Sequence, residues 1–371
     1  MKILFLDQFQ HPGGAQLCLR DLMQAAERRG ARARLLVPGS GLPPSLASYN
    51  NGSKSMRDFA VFGIDTLRAA AAIRCEIRNH GADLVYVNGP RLLAAAQLAG
   101  SPFVFHAHSR VSGSSAQWIA RRALRGRCTA IFASSRFVAE PLYGTAPLRV
   151  VYNGVADQGF AARSFSAPAL TVGILGRIAP EKGHLDFVRA ADRIASVFPA
   201  AKFVIHGAAI ISRAGYEAEV RRAASHLNFE FHGWTDCPAP ALHSIDILAV
   251  PSAPLESTTR VIPEAFSAGT PVVAYRAGGI PEIVRNGRTG VLCDPNPAAL
   301  SDSILALMGC RDRLRRLAVN ARIEFERQFH QDRFTAEICG SLAALFEAPS
   351  SGRGERSQRA ALRATGSNAR A

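Results

Sequence analysis

Short apolar runs alternate with stretches of helical period along almost the whole chain, the pattern of strands and crossover helices in α/β domains. Strands are predicted at Ile3–Leu6, Arg34–Val37, Leu84–Val87, Phe103–His106, Ala130–Ala133 and Arg149–Tyr152. The first leads through a glycine-bearing loop, Gln10–Gly14, into an amphipathic helix over Ala15–Arg29 closed by Gly30. Residues Gly39–Gly52 are rich in Pro, Ser, Gly and Asn and read as a mobile surface loop. The segment Ala156–Pro168 lacks periodicity and reads as an interdomain linker. The alternation then restarts, with strands at Leu170–Leu175, Lys202–His206, Glu230–His232, Ile247–Val250, Pro271–Tyr275 and Gly290–Leu292. Helices are predicted at His184–Val197, Tyr216–Leu227 and Pro263–Ala268, then near Ala298–Met308, Asp312–Gln328 and Gln331–Phe346. From Pro349 the chain is Ser, Gly, Arg and Ala with almost no apolar bulk, which predicts disorder. The pattern amounts to two doubly wound α/β units in tandem. Ligands of such units lie beyond the carboxyl ends of the strands, so the cleft between the units is the expected site.

Composition narrows the class. A chain of 371 residues with 48% hydrophobic and 20% charged residues is globular and too long for one ordinary domain. No apolar run approaches the eighteen residues of a membrane-spanning helix, and Ile3–Leu6 before Asp7 is too short for a signal-peptide core. Seven scattered cysteines, never paired as CxxC, fit buried thiols in a reducing cytoplasm better than a disulfide frame or a zinc site. The net charge of +15 is uneven: +11 through Arg163, zero from Phe165 to Ser350, and +4 in the tail. A basic front half suggests an anionic partner there, such as a membrane surface, an acidic substrate or nucleic acid. Arginine supplies 40 of the 44 cations, so compositional bias explains the charge equally well.

The second unit carries the more specific chemistry. After the strand ending at Leu175 comes Gly176-Arg177-Ile178-Ala179-Pro180-Glu181-Lys182-Gly183 and then a helix. Two cations on a strand-to-helix turn, where backbone N–H groups point outward, suit a diphosphate; a solvated basic turn would read the same. Glu256 lies in the loop after Ile247–Val250, and Glu264 in the first turn of the following helix. Two carboxylates at the open end of a sheet can accept hydrogen bonds from sugar hydroxyls, although Glu264 would also complement a helix dipole. In Ala277-Gly278-Gly279-Ile280-Pro281-Glu282, paired glycines permit close backbone approach to a ligand or make a tight turn.

Taken together and in order, these motifs resemble the retaining, GT-B-fold glycosyltransferases of family 4. The resemblance runs from Gly173 to about Pro295 and includes Ala268–Val284 (AGTPVVAYRAGGIPEIV) and Asn286–Leu292 (NGRTGVL). It implies that Arg177 and Lys182 hold the donor diphosphate, that Glu264 binds the ribose hydroxyls and that Glu256 contacts the transferred sugar. The family usually has Gly-Phe-Gly-like residues after the first Glu, where this chain has Ser257-Thr258-Thr259. Sugar identity is therefore less defined than reaction type. In the first unit, Gly13-Gly14-Ala15-Gln16 resembles the family's glycine loop, though an ordinary helix start would read alike. His108, rather than His106, falls at the histidine facing the transferred sugar. Val151-Tyr152-Asn153-Gly154-Val155 resembles the domain junction, with Ala156 where an acidic residue is usual.

The resemblance thus implies a catalytic set of Glu256, His108, Arg177 and Lys182. The implied donor-binding set is Gly14, Arg177, Lys182, Glu256, Arg260, Val261 and Glu264. It divides the chain into an acceptor-binding Rossmann-like domain (1–160), a donor-binding Rossmann-like domain (166–330), a C-terminal helix crossing back to the first domain (331–348) and a basic tail (349–371). No metal site and no cofactor are expected, the nucleoside diphosphate sugar being a substrate. No DxD occurs, so a metal-bridged diphosphate is unsupported, and His106-x-His108 as a metal pair would need further ligands from a single barrel.

The implied reaction moves a sugar from a UDP- or GDP-linked donor to a saccharide or lipid-linked acceptor, in cell-surface polysaccharide or glycolipid assembly. The implied enzyme is cytoplasmic, with peripheral association at the inner face of the plasma membrane left open. Gln117–Arg127 sets Trp118, Ile119 and Leu124 among four arginines, a pattern that fits either an anionic membrane surface or a basic solvent face on a core helix. Trp234 could sit near the base or in the core. A GT-B nucleotide-sugar epimerase and a degenerate scaffold or basic binding module remain as alternatives. No basic-aromatic nucleic-acid motif stands out, so nucleic acid is not an expected partner.

Overall fold

The computed structural model describes residues 1–9, 13–44, 46, 56–210 and 212–347. Part of the Gln10–Gly14 loop, half of the Gly39–Gly52 loop and the tail from Pro349 lie outside the described residues. The chain divides into two compact units, Met1–Tyr152 with the chain from Phe334 onward, and Asn153–Arg333.

The first unit is built on a seven-stranded parallel sheet. Its strands are β1 (Lys2–Asp7), β2 (Arg32–Pro38), β3 (Gly41–Leu42), β4 (Leu84–Asn88), β5 (Phe103–Ala107), β6 (Cys128–Ala133) and β7 (Leu148–Val150), in the spatial order β3-β2-β1-β4-β5-β6-β7. Helices cover both faces, which is why β4 and β5 are buried at every position and read as continuous apolar runs. From Phe334 the helix Gln331–Glu347 belongs to this unit. Phe334, Ile338 and Leu342, four residues apart on one face, are fully buried against Ile3, Phe5, Tyr86 and Phe132. Burial of each such side chain is worth about 1.5–3 kcal/mol, enough to hold the returning helix in place.

The second unit has six parallel strands: β8 (Thr171–Leu175), β9 (Lys202–His206), β10 (Phe229–Gly233), β11 (Ile247–Val250), β12 (Val272–Tyr275) and β13 (Val291–Cys293). Their order is β10-β9-β8-β11-β12-β13. Strand succession reverses between β8 and β11, so the loops leaving these two neighbours diverge and open a crevice at their carboxyl ends.

Several sequence expectations need correction. Gly41 and Leu42, read as part of a mobile loop, form an edge strand paired with Val37 and Pro38. A helix of 25 residues, Met56–His80, occupies a stretch for which the sequence pattern had suggested no element. The helix Tyr216–Leu227 stops at Ala223, and the one expected from Pro263 begins at Val261. The segment Ala156–Pro168, read as a linker, has no helix or strand but is anchored to the second unit. Gln158 N donates to Ser267 Oγ (3.1 Å) and Ala161 N to Ala268 O (3.2 Å). Asp157 accepts from Arg322 at 2.6 and 2.7 Å, and Phe165 is buried. Its apparent irregularity reflects a backbone satisfied by side chains and isolated carbonyls instead of a ladder.

Candidate active site

At the carboxyl edge of the second sheet, three loops are locked together. The turn after β8 ends at Gly183 (φ +73°), which caps the helix His184–Val197. A side chain at Gly183 would overlap the Pro251 carbonyl of the loop after β11. Ala253 N of that loop donates to Glu181 O at 2.8 Å. Gly278 (φ +53°), in the turn after β12, has room for a hydrogen only, because a Cβ would overlap the Glu256 carbonyl oxygen. Gly279 N donates to that same oxygen at 3.1 Å. The paired glycines thus serve close backbone approach to the carbonyl of Glu256 itself.

This scaffold brings Lys182 and Glu256 together: Nζ lies 2.5 Å from Oε2, with the side chains 21% and 14% exposed. Arg177 is on the same turn but reaches Glu181, at 3.0 Å. Arg260 and Glu264 form a second enclosed pair, Nε to Oε1 at 3.5 Å, and Arg260 Nη1 reaches Gly154 O at 3.4 Å. Val261 is the first residue of the helix Val261–Ala268, whose first turn holds Glu264. Four N–H groups at each of the two helix starts lack intrahelical acceptors, a feature that favours anions. Trp234 is 40% exposed, its indole N–H donating to Asp236 at 2.9 Å, so it is not a core residue.

A cavity of about 460 Å³ adjoins these loops, lined by Gly183, Leu185, Asp186, Tyr216, Pro251 and Tyr275 among others. Arg177, Lys182, Glu256 and Glu264 are not in its lining. Tyr275 donates to Asp186 there at 3.1 Å, and burial first, then the Asp186 charge, pushes its phenol far up.

In the first unit, Gly14 is exposed at the start of the helix Gly14–Arg28, while His108 follows β5. Around His108 the structure shows a polar chain that sequence reading missed. His108 Nε2 is 2.8 Å from Asn88 Oδ1, and Asn88 Nδ2 donates to Asp7 Oδ2 at 2.7 Å. Gln16 of the glycine loop donates to both Asp7 oxygens, at 3.0 and 3.1 Å. Burial pushes the Asp7 carboxyl up, against the opposing pull of these donors. His106 lies against His108 with ring centroids 3.8 Å apart and planes tilted by 40°, and meets Tyr86 OH through Nδ1 at 2.8 Å. Burial, with a smaller effect of His108, holds His106 well below the ordinary histidine value. Each histidine therefore spends a ring nitrogen on a protein partner, and among the described residues no group of three or more His, Cys, Asp or Glu is placed to hold a metal ion. A usable signal did exist: Asp7 and Asn88 are polar residues directly following apolar runs on neighbouring parallel strands, and they fall in register (Asp7 opposite Asn88).

Two surface features of the first unit are also relevant. Trp118, on the helix Ser114–Leu124, is 69% exposed, and Arg122, Arg125 and Arg127 are exposed nearby in the chain. The helix Met56–His80 leaves Val61, Ile64 and Leu67 exposed at about helical spacing. Among the described residues no helix is long and apolar enough to cross a membrane.

Both units match family models. Residues 12–158 match Glycosyltransferase Family 4, and residues 169–309 match Glycosyl transferases group 1. The chain is 27% identical over 327 residues to the phosphatidyl-myo-inositol mannosyltransferase of Mycobacterium tuberculosis, covering 81% of this chain and 85% of that one. Glycogen synthase of the same organism is 33% identical over 165 residues, 42% of this chain and 38% of that one. Among solved structures, Anabaena HepE in complex with UDP superposes with a TM-score of 0.75 at 23% identity, over 93% of this chain and all of that chain. Sucrose-phosphate synthase of Thermosynechococcus elongatus gives 0.78 at 17%, over 94% and 100%.

Proposed function

Because the chain belongs to the glycosyltransferases of family 4 and has their GT-B fold, we propose that it transfers a sugar from a nucleoside diphosphate donor, with retention at the anomeric carbon, to a saccharide or lipid-linked acceptor. The observation that carries this reading is the Lys182–Glu256 pair, set at the start of a helix and beside the crevice of the second sheet.

In this reading Lys182, Arg177 and the backbone N–H groups following Gly183 take the diphosphate. Positive charge at that point stabilises the leaving group as the glycosidic bond breaks, which is work a divalent ion would otherwise do. Glu256 contacts the transferred sugar and Glu264 the ribose hydroxyls. Arg260 holds Glu264, and Val261 contributes backbone. Gly14 and His108 serve from the first unit. Retention follows from attack on the same face that the diphosphate leaves: the acceptor oxygen bonds to the anomeric carbon, and its proton passes to the departing phosphate oxygen. Positioning and charge stabilisation account for the catalysis, with neither a covalent nucleophile on the protein nor a cofactor.

The related mannosyltransferase is named for a phosphatidylinositol acceptor. Exposed Trp118 with its neighbouring arginines, and the apolar positions Val61, Ile64 and Leu67, support an acceptor met at an anionic membrane, in cell-surface polysaccharide or glycolipid assembly. A thermal-shift screen of UDP- and GDP-linked sugars tests the donor assignment, because binding raises apparent stability by mass action. One nucleotide class should raise Tm and support transfer. No shift with any nucleoside diphosphate sugar, or an isomerised sugar from donor alone, would overturn the reading.

A further inference from the structure

We propose that Asp7 and Asn88 are positioning residues that hold His108 as its Nε2–H tautomer, leaving Nδ1 as the ring's proton-accepting nitrogen. This rests on the reading above that His108 faces the transferred sugar; the tautomer itself follows from the polar chain alone.

Asp7, at the end of β1, is 1% exposed. Its surroundings are donors: Phe9 N at 2.9 Å, Gln16 Nε2 at 3.0 and 3.1 Å, and Asn88 Nδ2 at 2.7 Å. The side-chain and backbone groups bonded to it offer hydrogens, which suits a carboxylate and not its acid. The carboxylate then fixes the amide of Asn88, itself 2% exposed. Asn88 Nδ2 faces two acceptors, Asp7 Oδ2 and Ala15 O at 3.5 Å. Turning the amide over would set its oxygen against a carboxylate and a carbonyl, with two donors lost. Asn88 Oδ1 is therefore the atom presented to His108. An amide oxygen accepts only, so the nitrogen 2.8 Å away, Nε2, must carry the hydrogen.

Three aligned strand ends thus pass a preference along one line, from the charge on β1 through the amide on β4 to the imidazole just past β5. Gln16 braces the far end from the first turn of the helix Gly14–Arg28. A ring fixed in this way keeps one orientation and one tautomer, with Nδ1 buried in this structure.

Nitrogen-15 spectra of the histidine-labelled enzyme test the proposal, with His108→Ala identifying the signal. The wild-type ring should show the Nε2–H tautomer alone. Asp7→Asn keeps the shape of the side chain but lets the Asn88 amide lie either way, and Asn88→Ala removes the link. Both should give a mixture of tautomers. They should also lower kcat on the order of tenfold or more, the scale seen for partners that orient a histidine, with little change in donor KM. An Nδ1–H ring in the wild type, or an unchanged tautomer in Asp7→Asn and Asn88→Ala, would overturn the proposal. If Asn88→Ala does not fold, the near-isosteric Asp7→Asn and the wild-type spectrum decide. Normal turnover by His108→Ala alongside the expected spectra would remove the role of His108 and leave the tautomer assignment standing.

Discussion

Lys182 Nζ stands 2.5 Å from Glu256 Oε2, joining two loops that are 74 residues apart in the chain. The pair is mostly shielded from water, so neither member is a freely solvated charge. Removing one leaves the other with a desolvation cost and no partner.

Lys182→Ala should therefore do two things. Turnover should fall on the order of 100-fold or more, the scale for loss of one preorganised charge donor. Stability should fall as well, and a Glu256→Gln change in the same chain should restore part of it, since contacting residues are not additive. Steady-state kinetics and denaturant titrations of the two single variants and the double variant measure both effects. Near-normal turnover in a folded Lys182→Ala protein would count against the donor site.

Glu264→Ala should weaken nucleoside diphosphate binding about tenfold or more, the value of a hydrogen bond to a charged group, with a smaller effect on kcat. Calorimetric titration with the nucleotide checks it. An unchanged Kd would remove Glu264 from the ribose.

Gly278→Ala is the sharpest probe of the backbone seam. The new methyl would overlap the Glu256 carbonyl, and the φ of +53° is unfavourable for alanine. A loss of stability of roughly 1–3 kcal/mol is expected. Activity should fall further, on the order of 100-fold, because a displacement of about 1 Å at a positioned group costs that much. A variant that loses stability but keeps full kcat would show that the carbonyl contact does not aim Glu256.

The buried His184 gives a pH prediction. Burial pushes its imidazole down from the ordinary 6.5 to about 4. As pH falls, the unfolded chain takes up this proton first, so stability complete above pH 6.5 is lost between 6.5 and about 4. The loss at this one site is about 3 kcal/mol. Buried His106, also held low, adds in the same direction. Urea midpoints measured across this window should fall less steeply in His184→Leu than in the wild type. Parallel curves would show that His184 is not held neutral.

Vesicle co-sedimentation addresses the acceptor side. The protein should pellet with phosphatidylglycerol vesicles and release in salt, while Trp118→Ala and Ile64→Ser should each reduce the bound fraction several-fold. Equal binding to neutral vesicles would rule out charge attraction.

Much of this was legible from residue order. The twelve predicted runs became strands, and the central ones, such as β4 and β5, are apolar throughout because both their faces are covered. Arg177, Lys182, Glu256 and Glu264 were visible because they sit in turns of unusual chemistry. What the sequence hid was pairing over distance. Nothing local says that Lys182 meets Glu256, or that Asp7, Asn88 and His108 share one hydrogen-bonded line, because strand order creates those meetings. The helix Met56–His80 escaped notice because its exposed apolar positions blur the two-sided pattern on which a helix reading depends. Ala156–Pro168 was misread because backbone bonds to single carbonyls leave no period in the sequence.

The glycine contacts at Gly183 and Gly278 leave one stretch of this wall comparatively free to vary. A larger residue at either position would push loop against loop, so selection for a new donor has little latitude there. Ser257-Thr258-Thr259 follows the clamped carbonyl and precedes the helix at Val261. Divergence in sugar preference among proteins built this way should accumulate in that tripeptide, and laboratory evolution toward a different donor sugar would best begin by randomising it.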